Sequence, residues 1–430
     1  MVFRNELDMK TRPNSARSKL TTLQMKITAL LAFLPITLLA QDFEEAPTLS
    51  AAAILKPEFA AGVRDPVPTY GGRNGYMIDS EFGTFEADGN TMLVRRIREI
   101  AAIARLSEVS RTDEYKNALG AAVKSPLLVA KGLIENPVGT VSGVPKGIWK
   151  FVNRAGQGIK ERAEGRERSE YEDSNAAQLI GFSKAKRDVA LKLGVDPYSS
   201  NEALQRELNG VSWAAYAGKM TFTLATAPVG GGAGMALTAT GVTNTFEQAI
   251  RDQSPADLRL GSLKRLLAMG VSRSLADAFL NNNAFSPSVQ TALVLHLEAL
   301  KGVANRAAFI QLATEQSASE GDALFFCETS RVLAQLHTGG RTLARLETMD
   351  SLPIAIGTDG NVIVALEWDY AAWTQNAANF VARIKAAKIG KKAPTGYVIA
   401  LTGDASPRVQ KELEAAGVTV ATRLSPGPLQ

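Results

Sequence analysis

Apolar residues recur at helical spacing through the middle of the chain. From Thr91 to Leu119 they follow one another at steps of three and four, with arginine and glutamate residues between them, which predicts an amphipathic helix. Shorter stretches of the same kind, separated by glycine and proline, run from residue 255 to 338. We therefore predict a mainly α-helical body over residues 91–350.

Three serine–proline pairs stand at predicted helix starts. A serine hydroxyl can cap the first turn, and proline is well suited to the first helical position. The three serines are Ser254, Ser286 and Ser406.

After Met349 the apolar spacing changes to two. Leu352 to Ile356 and Val362 to Trp368 are predicted strands joined by a turn at Asp359-Gly360, a strong hairpin signal. The predicted elements that follow are a helix from about Ala371 to Ala387, a strand Tyr397 to Leu401, a helix Pro407 to Ala416 and a strand Val418 to Thr422. A strand, helix and strand in this order predict a parallel pair with a right-handed crossover. Residues 351–430 are thus predicted to be a small C-terminal α/β domain whose mixed sheet combines a β-hairpin with a βαβ unit.

The N-terminal part of the chain differs from the rest in its composition. Residues 41–90 are rich in glycine and proline, which predicts an extended, loop-rich segment. Before it, the uncharged apolar run from Ile27 to Ala40 follows six basic residues. That run is shorter than the roughly 20 residues needed to span a bilayer, so it indicates a cleaved signal peptide over residues 1–40. A buried N-terminal helix is the alternative.

The start and the cleavage site of this leader are separate predictions. The sequence from Met25 onward is already a complete short signal peptide, so Met25 is an alternative start. Cleavage is expected after Ala40. An exported protein, periplasmic or secreted from a bacterial envelope, is the expected location.

Removing the leader changes the charge of the protein. The whole chain has a formal net charge of +5, and the six basic and two acidic residues of the leader account for +4 of it. The mature chain is therefore close to neutral, and we expect no nucleic-acid binding.

The chain has one cysteine, Cys327, so it cannot form an internal disulfide. Its only two histidines are His296 and His337, which makes a zinc centre implausible. No cofactor is expected, and both Cys327 and His296 are predicted to be ordinary core residues.

Two stretches could contact a membrane. Residues 123–152 combine lysines with aromatic residues, the pattern of an anionic lipid surface contact. The candidate contact residues are Lys146, Trp149, Lys150 and Phe151. Residues 213–246 carry small residues and one charge, Lys219. Burial inside the protein is the alternative for both stretches.

Candidate ligand residues lie in the C-terminal region. The segment Thr402, Gly403, Asp404, Ala405, Ser406 follows a predicted strand and precedes a helix, which is where α/β proteins commonly bind ligands. A simple capping turn explains the same residues. Carboxylates near the hairpin, Asp359, Glu367 and Asp369, could serve acid/base or metal chemistry, and Glu367 and Asp369 would point to one face of a strand.

No complete catalytic motif is present, so three functions remain open. The first is an exported envelope protein with a binding or assembly role, whose partner is unknown and could be an envelope protein or the membrane surface. The second is a membrane-active or membrane-peripheral protein that uses residues 123–152 or 213–246. The third is an envelope hydrolase with an unrecognised site.

Overall fold

Helices dominate the part of the chain that the computed structural model describes, which comprises residues 43–123, 181–217, 243–386 and 393–429. These ranges belong to one compact unit that begins at Phe43. The predicted signal peptide lies outside the described residues, as do most of the two candidate membrane segments. The candidate contact residues outside them are Lys146, Trp149, Lys150 and Phe151.

The predominance of helix is confirmed. In chain order the helices are α1 (Ala51–Ile54), α2 (Pro57–Ala60), α3 (Asn90–Ser110), α4 (Asp113–Val123), α5 (Phe182–Lys192), α6 (Glu202–Ala217), α7 (Thr243–Asp252), α8 (Pro255–Ala268), α9 (Arg273–Leu280), α10 (Pro287–Ala299), α11 (Arg306–Gln316), α12 (Glu320–Thr338), α13 (Gln375–Ala386) and α14 (Pro407–Ala415). The three predicted serine caps are also confirmed, because Ser254, Ser286 and Ser406 each accept a backbone N–H from the first turn of α8, α10 and α14.

The segment predicted to be loop-rich contains a four-stranded antiparallel sheet. Its strands are β1 (Thr48–Leu49), β2 (Val67–Tyr70), β3 (Arg73–Ser80) and β4 (Gly83–Asp88), in that spatial order. Gly71 and Gly72, both with positive φ, form the tight turn between β2 and β3. Tyr76 and Ile78 alternate along β3 and are buried. Some of the glycines predicted as loop breakers therefore form turns of this sheet, and β3 alternates buried and partly exposed positions with a period of two.

A five-stranded sheet lies near the C-terminus. Its strands are β5 (Leu343–Met349), β6 (Leu352–Gly357), β7 (Asn361–Leu366), β9 (Gly396–Leu401) and β11 (Val418–Ala421), in the order β11-β9-β7-β6-β5. The pairs β5·β6 and β6·β7 are antiparallel, whereas β7·β9 and β9·β11 are parallel. A short ladder joins β8 (Tyr370–Ala371) to β10 (Asp404–Ala405).

The first strand of this sheet falls within the stretch predicted to be helical. The sheet starts at Leu343, and the predicted boundary near Met349-Asp350 coincides with the β5–β6 turn, where Asp350 and Ser351 have positive φ. Independent folding of residues 351–430 stays a prediction.

Helix α12 occupies the centre of the described structure. It packs against α10 and against β7, and most of its residues are buried. Within it Glu328 and Arg331 form a fully buried ion pair of 2.6 Å, and Arg331 donates a further hydrogen bond to the carbonyl of Ser425. This packing brings the end of β7 close to α12 and α3. Within the described ranges, no helix is both long enough and apolar enough to cross a bilayer.

Candidate functional site

The chain that leaves β7 carries two buried carboxylates. Glu367 and Asp369 are 4% and 7% exposed, and they point to the same side because side chains alternate along extended chain. The backbone N–H groups of Asp369 and Tyr370 both donate to the carbonyl of Gly72 in the β2–β3 turn. The N-terminal sheet is therefore attached directly to the chain that holds the carboxylates.

Asp369 caps helix α3 from a distant part of the sequence. Helix α3 follows Gly89, which has a φ of 89° and no side chain to cap the first turn. The Asp369 carboxylate instead accepts the N–H of Asn90 at 3.1 Å and the N–H of Asn74 at 2.8 Å. The positive end of the helix dipole also favours an anion at this position. Asp369 thus connects β3, α3 and the C-terminal sheet.

Glu367 lies beside this cap. One of its carboxylate oxygens accepts the hydroxyl of Thr91 at 2.8 Å, and its backbone N–H donates to Oγ1 of Thr329 in α12. A Cβ placed on Gly89 would be 3.7 Å from an oxygen of Glu367 and 3.7 Å from an oxygen of Asp369. Both carboxylates therefore lie next to Gly89 and close enough to interact with each other.

Burial raises the pKa of both carboxyl groups. The pKa of Glu367 is well above its ordinary value because the group is desolvated and lies near Asp369. Desolvation raises the pKa of Asp369 to about 7, although its two backbone donors act in the opposite direction. Arg73 favours the ionised forms of both groups, but its guanidinium already pairs with Asp88 and Asp322 at 3.0 Å each. The pair holds a proton at neutral pH that isolated carboxyl groups would lose.

The two carboxylates line a cavity of about 200 Å³, which we call the acidic cavity. Thr402 and Gly403 contribute to the same cavity from the end of β9, and Arg98 contributes from α3. Arg98 is partly buried, and desolvation lowers the pKa of its guanidinium. Among the described residues, Arg98 has no hydrogen-bond or ion-pair partner. The acidic cavity is thus lined by a protonatable carboxyl pair and by a guanidinium that has no partner among the described residues. Lys56 and Glu58 line the same cavity.

The predicted ligand loop is divided between the acidic cavity and other contacts. The Thr402 hydroxyl donates to the carbonyl of Trp368 at 3.0 Å, and the Gly403 N–H donates to that carbonyl at 2.7 Å. Asp404 instead pairs with Arg423 at 2.7 Å on the surface. Ser406 caps α14 and donates to a carboxylate oxygen of Glu44 at 2.6 Å. The structure therefore brings Thr402 and Gly403 together with Glu367 and Asp369, and places Asp404 and Ser406 in other contacts.

Asp359 does not join the carboxylate pair. It lies in the β6–β7 turn, where it accepts the N–H of Asn361 at 3.0 Å. The turn is at the start of β7, whereas Glu367 and Asp369 follow its end. Asp359 therefore has a local structural role.

The other polar residues considered from the sequence lie in the core. Nδ1 of His296 is 3.1 Å from the hydroxyl of Ser330, and burial lowers the pKa of His296 to about 3, so the ring is neutral. Burial raises the pKa of the Cys327 thiol, which keeps it protonated and unreactive. The prediction that both are core residues is confirmed. No group of three or more histidine, cysteine, aspartate or glutamate side chains within the described ranges could hold a metal ion.

Sequence reasoning missed the α3 side of the site. Asn90, Thr91 and Arg98 belong to a helix predicted from its apolar spacing, and their polar face was not considered for ligand binding. Tyr76 was missed as well. Its hydroxyl donates to the amide oxygen of Asn90 at 2.5 Å and accepts from the side-chain amide of Asn74 at 3.0 Å. The sequence does contain one indication of this site: the helix starts at Gly89-Asn90, and no good local cap is present there.

Comparison with known proteins identifies no relative. No protein-family model matches this chain, and neither a curated protein nor a solved structure shows significant similarity to it.

Proposed function

We propose that the protein is an exported binding protein of a bacterial envelope and that the acidic cavity is its ligand site. The observation that carries this proposal is that a buried carboxyl pair, Glu367 and Asp369, lines the same cavity as Arg98, whose guanidinium has no partner among the described residues. Buried charged groups are normally paired within the protein, and a partly buried guanidinium can still take an anionic partner from a ligand. A ligand with an amine for the carboxyl pair and an anionic group for Arg98 would pair with both.

The spacing along α3 defines the ligand class more closely. Thr91, which contacts Glu367, and Arg98 are seven residues apart, or about 10 Å along the helix axis. The Arg98 side chain can lean back toward the N-terminus of the helix and shorten that span. A short peptide, with its amine at the carboxylates and its carboxylate at Arg98, fits this arrangement better than a ligand with one charged group.

Calorimetry with the full-length chain tests the proposal. The ligands are di- and tripeptides of glycine, alanine and lysine, with propylamine and propionate as singly charged controls. We expect at least one peptide to bind. An amine beside Glu367 and Asp369 favours their ionised forms, so binding should release a proton and its enthalpy should depend on the buffer.

Two substitutions assign the binding to this cavity. Glu367→Gln and Arg98→Gln should each weaken peptide binding by about tenfold or more, since each removes a charged hydrogen-bond partner. Arg105→Gln is the matched control, because Arg105 lies on the same helix, is partly exposed and pairs with Glu108. The proposal fails if no peptide in the panel binds, or if the two cavity variants bind as tightly as Arg105→Gln.

A hydrolytic role is the second candidate. Asp369 receives two backbone N–H groups and Glu367 does not, and different environments for two neighbouring carboxyl groups are typical of an acid/base pair. The same peptides separate the two functions. Binding without cleavage over hours supports the binding protein, whereas turnover that is lost in Glu367→Gln supports the hydrolase.

Export is tested separately from ligand binding. N-terminal sequencing of the protein from a periplasmic or secreted fraction should show a chain that begins near Gln41. An intact Met1 or Met25 on a cytoplasmic product would contradict export. The membrane-peripheral hypothesis depends on residues 123–152 and 213–246, and binding of the chain to anionic vesicles would favour it.

A further inference from the structure

A second, smaller pocket adjoins the acidic cavity along helix α3. Its volume is about 80 Å³, and we call it the α3 pocket. Thr91, Val94 and Arg98 line both spaces. Because these residues are three and four positions apart, they form one stripe along the helix. All three are half-buried, so the α3 pocket and the acidic cavity meet along this stripe.

The rest of the wall of the α3 pocket is largely apolar. Its buried apolar side chains come from the α5–α6 connection, α7, α10 and α12, and they are Val195, Phe246, Val289, Ala292 and Leu324. The surface that the lining residues leave open inside the pocket is also mostly apolar. An apolar group placed there would be removed from water, which is favourable.

The carboxylates of this wall already have partners within the protein. The ion pairs are Arg95 with Asp196 at 2.5 Å, Arg96 with Glu99 at 2.7 Å and Glu328 with Arg331 at 2.6 Å. A cationic side chain would therefore find no unpaired carboxylate in the α3 pocket. Arg98 differs, because it has no partner among the described residues, and the proposed function assigns it to the carboxylate of the ligand.

The volume limits the apolar group that the pocket can hold. A protein cavity of about 150 Å³ accepts benzene, and the α3 pocket has roughly half of that volume. A short branched side chain, such as that of valine or leucine, is therefore expected to fit. An aromatic ring is expected to be too large.

We propose that the α3 pocket is the specificity pocket of the peptide site and receives one side chain of the size of valine or leucine. The inference rests on the proposed function, because the peptide backbone lies in the acidic cavity and the side chain passes Val94 to enter the pocket. The two charged ends of the ligand would then be recognised in the acidic cavity, and its apolar side chain in the α3 pocket.

Calorimetry with the full-length chain compares triglycine with the three tripeptides that contain one leucine and two glycines. One of the three should bind about tenfold or more tightly than triglycine, because burial of an apolar side chain is favourable on this scale. The peptides with phenylalanine or lysine at the same position should show no such gain. Binding of triglycine without a gain for any leucine peptide would overturn the specificity pocket and leave the proposed function in place.

Filling the pocket should remove the preference for leucine. Ala292→Leu enlarges a side chain of the wall, and Ala299→Leu is the matched control because Ala299 belongs to the same helix and does not line the pocket. In Ala292→Leu the affinities for the leucine peptide and triglycine should become equal, whereas Ala299→Leu should keep the wild-type ratio. The same ratio in both variants would overturn the assignment to this pocket.

Enlarging the pocket gives a test that a folding defect cannot imitate. Leu324→Ala should bind the phenylalanine peptide about tenfold more tightly than the wild type does. Leu333→Ala is the control, since Leu333 is a buried residue of the same helix that does not line the pocket. Absence of this gain in Leu324→Ala would count against the proposal even if Ala292→Leu does not fold.

Isobutanol separates this inference from the proposed function. It carries the hydrocarbon part of leucine without charged ends, so ligand-observed NMR should detect its binding to the wild type and to Ala299→Leu, but not to Ala292→Leu. If isobutanol shows this pattern and no peptide binds, the proposed function fails and the pocket for an apolar group stands. If neither isobutanol nor a leucine peptide binds, the inference is overturned.

Discussion

The two sides of the chain at the end of β7 differ in almost every physical respect. On one side Glu367 and Asp369 are held by backbone and hydroxyl donors from α3, and their charges are costly to bury. On the other side Leu366, Trp368 and Tyr370 face a larger cavity, of about 660 Å³, whose wall is mostly apolar and which we call the apolar cavity. One alternating stretch thus separates a small polar site from a larger apolar one. The comparison shows that one extended stretch can face two environments of opposite polarity when both of its sides are covered by other elements.

Removing the tertiary cap should cause a large loss of stability. Asp369→Ala leaves the buried N–H groups of Asn74 and Asn90 without their acceptor. Each unsatisfied buried group costs about 1–3 kcal/mol, so we expect a loss of about 2–4 kcal/mol in the free energy of unfolding. Urea denaturation provides the measurement. Asp404→Ala is the matched control, and its exposed ion pair with Arg423 should contribute less than about 1 kcal/mol. Equal losses for the two variants would remove the distinction between buried and surface carboxylates.

Shortening a side chain on the apolar side should cost less stability than shortening one in a closely packed part of the same sheet. Leu401 and Leu346 are each 1% exposed, but only Leu401 lines the apolar cavity. Leu346→Ala should cost about 3–4 kcal/mol, and Leu401→Ala about 2 kcal/mol, because part of the Leu401 surroundings is already open space. Chemical denaturation of both variants gives the comparison. A larger loss for Leu401→Ala would mean that the cavity wall is as tightly packed as the sheet elsewhere.

The acidic side should show a distinctive pH dependence. Glu367 and Asp369 have raised pKa values in the folded protein, so between their ordinary values and about pH 7 the folded state binds more protons than the unfolded state. Their contribution to stability is therefore present at low pH and is lost as the pH rises. Glu367→Gln removes one of these protons, so the fall in stability from pH 5 to pH 8 should be smaller than in the wild type by about 1–2 kcal/mol. Parallel pH profiles for the two proteins would contradict this account.

The smallest effect should come from the predicted ligand loop. Ser406→Ala removes the cap of α14 and the contact with Glu44, and it should cost about 1–2 kcal/mol. Ser272→Ala, which removes a more exposed cap from α9, should cost about 0.5–1 kcal/mol. Thermal melts of both variants measure the difference. A change in peptide affinity without a change in stability for Ser406→Ala would instead assign this hydroxyl to the ligand.

Several features of the fold depend on neighbours in sequence and were therefore predictable. The serine caps at Ser254, Ser286 and Ser406 need only a hydroxyl and an N–H three residues later. The turn at Asp359-Gly360 likewise depends on the φ that glycine permits, and Gly360 has a φ of 82°. Alternation along extended chain also placed Glu367 and Asp369 on one face. Export and the domain boundary near residue 350 remain predictions from the sequence.

Tertiary structure decided the rest, because it joins residues that are far apart in the chain. Asp369 caps a helix that begins 279 residues earlier, at Asn90, and no local pattern contains that pairing. The same packing places Arg98 in the cavity that the carboxylates line, and Phe325 in the larger cavity beside the sheet. Short strands such as β1 and β2 likewise form only because their partners are present. The sequence by itself determined the local elements and the candidate carboxylates, whereas the long-range packing determined which groups they face, how deeply they are buried and therefore what chemistry they can perform.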